Sequence, residues 1–93
     1  MAYLQITLFI QPENRAAAVA VYQKYKAPFL QNITGAQSKE LLVRDEDVQV
    51  LHGFDTAAHA KAYLDTELFK QDVVRELSPL FAAAPDIRGY ETA

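Results

Sequence analysis

The stretch Val48-Gln49-Val50-Leu51-His52-Gly53-Phe54-Asp55-Thr56 decides the fold. Val48, Val50, His52 and Phe54 share one side of an extended chain, and Gln49, Leu51 and Gly53 share the other, the period-two pattern of a strand. Both sides carry apolar residues, which predicts a central strand rather than an edge. Asp55 or Thr56 then caps a helix, its side-chain oxygen accepting from an orphan backbone N–H.

Upstream of this strand, Arg44-Asp45-Glu46-Asp47 reads as a solvated hairpin turn. Its acids lack the alternating ligand spacing and the glycine of a calcium loop. Ser38–Arg44, centred on Leu41, Leu42 and Val43, is the strand that enters the turn. Before it, Pro12-Glu13-Asn14 opens a helix whose inward stripe is Val19, Tyr22, Phe29 and Ile33. Pro28 is expected to kink or interrupt that helix, because it has no N–H to give an interior turn. Tyr3–Gln11 is the opening strand. Leu4, Ile6, Leu8 and Ile10 form a wholly aliphatic face that belongs under helices. Tyr3, Gln5, Thr7 and Phe9 form an amphipathic face, too apolar for open water and too polar for a dry core.

Downstream, a helical region starts near Ala57 with Ala60, Tyr63 and Leu64 inward; after a break at Asp65-Thr66, Phe69, Val73, Leu77, Leu80 and Phe81 continue the stripe. Ser78-Pro79 ends it, since the residue before proline avoids the helical region. Asp86–Thr92, centred on Ile87 and Tyr90, is the last strand. The order strand, helix, strand, strand, helix, strand is the split βαβ, ferredoxin-like arrangement of the α+β class. Right-handed crossovers give the antiparallel sheet order 4-1-3-2 with helices on one face.

Length and composition bound the rest. Ninety-three residues with 51% hydrophobic content make one domain over 1–93. A net charge of −3 gives no electrostatic case for nucleic acid or an anionic membrane surface. The absence of cysteine excludes disulfides and thiolate metal sites and fits a reducing compartment. No basic region precedes the first apolar run, which is too short to span a membrane. The expectation is a soluble cytoplasmic protein. The uncovered face of a one-sided sheet further predicts a homodimer through Gln5, Thr7 and Phe9, with Leu51 from the third strand.

Pro12 after the first strand, Gly35 before the second and Phe54-Asp55-Thr56 at the strand–helix junction form a pattern over almost the whole chain. Tyr63-Leu64 and Phe69 in a bent helix, then Pro85 and Tyr90, complete it. In these features the chain resembles the antibiotic-biosynthesis-monooxygenase-like proteins of the dimeric α+β barrel superfamily. The resemblance implies two sheets stacked face to face in a dimer, with a pocket between each sheet and its own helices. That family's junction reads Trp-x-Ser, so the cap is kept in kind and the indole N–H is lost. Its haem-degrading branch uses an Asn, that Trp and a His. Ile6, Phe54 and Val73 stand at those three places, so the resemblance does not extend to haem degradation.

The candidate chemistry is thin. His52 shares a strand face with Val50 and Phe54, the pocket side by the resemblance, where an imidazole can relay a proton or orient a phenol or enol. The competing reading is a structural histidine hydrogen-bonded near the sheet end. Ile6 and Leu8 on the neighbouring strand, with Tyr63 and Phe69 from the helix, are expected to line the pocket. Aromatic residues at such spacing also serve simply as core. No nucleophile elbow, phosphate-cradling loop, dinucleotide fingerprint or zinc-ligand spacing is present, so nothing implies a flavin, nicotinamide or metal cofactor. Two functional readings follow. One is a cofactor-independent oxygenase acting on a small aromatic or quinol-like substrate in an apolar pocket. The other is a non-catalytic dimeric module that binds a small apolar ligand or only assembles.

Overall fold

The computed structural model describes residues 1–93. Strands β1 (Ala2–Leu8), β2 (Ala36–Val43), β3 (Val48–Phe54) and β4 (Asp86–Glu91) form one antiparallel sheet in the order β2-β3-β1-β4. This is the α+β, ferredoxin-like order expected from the strand–helix alternation. Helices α1 (Arg15–Asn32), α2 (Ala57–Tyr63) and α3 (Glu67–Phe69), the last continuing as a π-helical run over Lys70–Leu77, cover one sheet face. No helix is long and apolar enough to cross a membrane.

The core forms where the period-two stripes of β1 and β3 meet the helices. Leu4, Ile6, Leu8, Val48, Val50 and Phe54 are all buried there. Thr56 caps α2 by accepting from the His59 N–H at 3.2 Å, and Thr66 caps α3 by accepting from the Phe69 N–H at 3.2 Å. Gly35 ends the α1–β2 connection at φ +80°, and a Cβ there would lie 2.3 Å from Asp55 Oδ1. Glycine alone meets both demands without strain.

Several expectations are corrected. Proline 28 does not interrupt α1, which runs on to Asn32. The carbonyl deprived of its partner belongs to the exposed Lys24, where water can replace the missing N–H. The buried residues of α1 are Ala18, Tyr25 and Phe29, while Val19 and Tyr22 are only half-buried. Strand β1 ends at Leu8, because its partner β3 begins at Val48 directly opposite. Ile10 then bridges to Phe81 alone. Strand β2 begins earlier, at Ala36, with an irregular step before Ser38.

The helices cover β1, β3 and β2 better than β4. Ile87, opposite Ile6 and therefore on the helix side, stays 41% exposed. At Gly89, opposite Leu4, an added Cβ would meet nothing within 4 Å. The fold thus leaves an opening along the helix side of its β4 edge.

Candidate functional site

That opening consists of two apolar clefts on either side of Ile87. The larger, about 530 Å³, is lined by Phe69, Val73, Val74, Phe81, Pro85 and Ile87 among others. The smaller, about 320 Å³, is lined chiefly by Leu4, Ala60, Leu64, Ile87, Gly89 and Tyr90. Pockets of this size and character suit small, largely apolar molecules.

The residues expected to form a pocket around His52 divide differently. Ile6, Leu8, Val50 and Phe54 are fully packed and line neither cleft. Phe69 alone of that set faces the larger cleft. The volume over His52 is filled by Phe29, which the uninterrupted α1 carries onto the sheet. Its ring lies 5.1 Å from His52, 5.6 Å from Phe54 and 5.1 Å from Tyr63, edge-on to each. Tyr63 then stacks edge-on against Phe69 at 5.4 Å. An aromatic chain therefore runs from His52 through Tyr63 to the cleft wall.

The core also holds a polar cluster that sequence reasoning missed. Lys39 from β2 and Asp72 from the π-helical run form an ion pair at 2.6 Å, with side chains 1% and 2% exposed. Lys39 Nζ also sits 5.3 Å from the centre of the Phe29 ring, a cation–π approach. Its backbone carbonyl accepts from the Tyr22 hydroxyl at 2.8 Å, tying β2 to α1. In a π-helix the i→i+5 bonds widen the turn, and here Asp72, Val73 and Leu77 are all buried. Asp72 is thereby committed to the interior beside two hydrophobes.

Three buried atoms of this region have no hydrogen-bond partner: His52 Nε2, the Tyr63 hydroxyl and Asp72 Oδ1. His52 Nδ1 lies 3.3 Å from the Leu4 carbonyl. A carbonyl only accepts, so Nδ1 carries the proton and Nε2 is a bare acceptor. Such orphans are uncommon in protein interiors.

Burial governs the charges. Desolvation, aided by the Lys39 charge, pushes the His52 pKa down to about 3, so the imidazole stays neutral at physiological pH. Desolvation lowers the Lys39 pKa against the opposing pull of Asp72. It raises that of Asp72 against the pull of Lys39. It also raises that of Tyr63, with the Asp72 charge adding to the effect. Burial thus moves the proton affinities of Lys39 and Asp72 toward one another, while their attraction holds them apart.

The remaining candidates are ordinary. His59 Nδ1 meets Asp55 Oδ1 at 2.7 Å on a half-open surface. Arg44 forks onto Asp47 at 2.7 and 2.8 Å, which organises the acidic turn from within.

No protein-family model matches this sequence, and no curated protein matches it. Solved structures do. A putative antibiotic biosynthesis monooxygenase from Caulobacter crescentus CB15 superposes with a TM-score of 0.84 at 22% identity, over 99% of this chain and 89% of that one. The chain shares the fold of that protein. A second antibiotic biosynthesis monooxygenase gives 0.80 at 14% identity, over 100% of this chain and 99% of the other. A conserved protein from Methanosarcina mazei Go1 gives 0.82 at 12%, over 99% and 92%. At such identities the likeness establishes the shared fold and leaves the chemistry to the residues present.

Proposed function

We propose that this protein is a small cofactor-independent oxygenase acting on a small aromatic or quinol-like substrate held in the apolar cleft along β4. The observation that carries this reading is an open apolar cleft from whose wall an aromatic chain, Phe69 to Tyr63 to His52, leads to unpartnered polar atoms in the core. The cleft supplies orientation and exclusion of water from a substrate that reacts with dioxygen once deprotonated. His52, with its proton on Nδ1, offers Nε2 as an acceptor to a substrate hydroxyl that is admitted past the Phe69 and Tyr63 rings. With its affinity for protons so depressed, it directs the hydroxyl rather than storing its proton. Ile6, Leu8, Val50 and Phe54 hold the strand face on which His52 stands, while Tyr63 and Phe69 separate it from the cleft. A cysteine-free chain suits a reducing cytoplasm.

The test is oxygen uptake with a panel of reactive quinols. Native protein should turn over at least one of them. His52→Leu, which keeps apolar bulk and removes the acceptor, should slow uptake by about 10- to 100-fold, the kinetic equivalent of one buried hydrogen bond. The two proteins are compared below their melting transitions. Equal rates would remove His52 from the mechanism.

One feature favours a second reading, a non-catalytic binding module. The residues lining the larger cleft include no titratable side chain. Saturable binding of quinols without oxygen consumption would select that reading.

Under either reading the protein works as a homodimer through the sheet face carrying Gln5, Thr7, Phe9 and Leu51. These residues are half-buried in a single chain, and Leu42 and Tyr90 beyond them are 44% and 48% exposed. The register puts Leu42 and Tyr90 on that same face, opposite Gln49 and Tyr3. A second copy is the economical cover for it. Sedimentation equilibrium at micromolar concentration should give twice the 10.4 kDa chain mass. A folded monomer at that concentration would reject the dimer.

A further inference from the structure

We propose that the smaller cleft is a subsite for an alkyl arm, so that the ligand of the β4 opening is an alkyl-substituted quinol rather than a bare ring. The ring lies in the larger cleft, and its neutral arm crosses Ile87 to lie against Gly89. This rests on the reading of the β4 cleft as the ligand site and adds the shape of the molecule that it takes. The argument begins with the three glycines. Gly35 has φ +80° and no room for a Cβ, and a Cβ on Gly53 would collide with Ser38 Oγ. Gly89 has neither reason. Its φ is not positive, it pairs with Leu4 in regular register, and an added Cβ would meet nothing within 4 Å. A glycine inside a strand weakens it, and where no bulge explains it, it commonly marks a place where a ligand or another backbone comes close. Gly89 lines the smaller cleft, on the helix side of the sheet and away from the face assigned to the dimer.

The two clefts then select the ligand. Both are lined by Ile87, so they adjoin across one side chain that is itself 41% exposed. The larger cleft has the aromatic walls, Phe69 and Phe81, that suit a ring. The smaller, about 320 Å³, has Leu4, Ala57, Ala60, Leu64 and Gly89 in its wall, all aliphatic or without a side chain. Its charged groups are Lys61 and Glu91, one of each sign and both exposed. It therefore offers no net charge to an ionised end group, and a neutral arm enters without an unpaired charge being buried. Ile87 and Gly89 are two residues apart, about 7 Å along a strand, which an arm of roughly six carbons spans. Each methylene laid into the cleft leaves water, so affinity grows with arm length until the arm passes Gly89.

The test is calorimetric titration, without oxygen, of hydroquinone and its methyl, propyl, hexyl and decyl derivatives into the native protein. Affinity should rise about two- to fourfold per methylene up to roughly six carbons, the gain from taking CH₂ groups out of water, and then level off. Gly89→Leu fills the arm cleft. Its affinities should be level from methyl onward, so that the hexyl derivative binds about 100-fold more weakly than to native protein. Gly89→Ala is the milder variant, with space for its methyl in a strand that glycine weakens. It should melt roughly 3–6 °C above native protein while binding the hexyl derivative about threefold more weakly. A glycine required by the backbone would instead lower the melting temperature on substitution, and one covered by a second copy would make Gly89→Leu dissociate the dimer; either result overturns the proposal. So would equal chain-length slopes in native protein and Gly89→Leu, a flat native series, or no saturable binding. Oxygen uptake from hydroquinones with no preference for an arm would overturn this inference and leave the oxygenase reading intact. Arm-dependent binding without oxygen uptake would uphold the inference and select the binding module.

Discussion

Lys39→Met is expected to destabilise the protein by about 3–5 kcal/mol, the usual consequence of stranding one member of a buried ion pair. The Lys39→Met/Asp72→Leu double variant should be neutral or more stable than the native protein. The contrast follows from desolvation. Both side chains are almost wholly out of water, and their attraction at 2.6 Å offsets that cost only while both are present. Removing Lys39 alone leaves Asp72 with no charge partner and with Oδ1 still unbonded. Asp72 then keeps its proton in the folded state to a higher pH than in the unfolded chain. A group with a raised folded pKa contributes stability as pH falls, so the single variant should recover part of its loss between pH 7 and pH 5. Urea unfolding at both pH values measures this. A single-variant loss under about 1 kcal/mol at pH 7 would mean that Asp72 reaches water without Lys39, well outside the range for buried pairs.

The second large effect is acid destabilisation through His52. Its folded pKa is depressed to about 3, against an ordinary value of 6.5 in the unfolded chain. Above pH 6.5 the imidazole is neutral in both states and contributes its full share. As pH falls from 6.5 toward 3, the unfolded chain binds a proton that the folded protein refuses, and stability drains away through that window. The total is on the order of 5 kcal/mol. The Lys39 charge on the adjacent strand, the Phe29 and Tyr63 rings and the Leu4 carbonyl surround the imidazole. Surface carboxylates titrate in the lower half of the same window, so the comparison is between native protein and His52→Leu. The native protein should lose stability more steeply below pH 6.5, and the variant should lack that component. Parallel stability curves would show that His52 ionises in the folded protein as readily as in the unfolded chain.

The two effects share one origin, a polar cluster sealed in the core. Its position explains why the two functional readings differ so little at the surface. The cleft itself is greasy and without charge, as a binding module needs. The chemistry, on the oxygenase reading, waits one side-chain layer deeper. Phe69 lines the cleft and packs on Tyr63, which in turn packs on the neutral imidazole.

By itself the sequence determined the sheet. The stripes Leu4-Ile6-Leu8 and Val48-Val50 have the period of two that strands impose, and Thr56 and Thr66 stand where helix N-termini need an acceptor. These are local signals, and alternation, capping and handed crossovers were enough to order the four strands. What only the tertiary structure decided is what meets across the core. Lys39 lies between Ser38 and Glu40, and Asp72 follows Gln71; each reads as one more polar residue of a solvated element. Thirty-three residues separate them, and neither alone signals burial. Their pairing depends on the π-helical register that buries Asp72 beside Val73. The filling of the space over His52 depends on α1 continuing through Pro28 far enough to deliver Phe29. Both are outcomes of packing, in which the loss of one helical hydrogen bond or the desolvation of one ion pair is outweighed by contacts among residues distant in the chain.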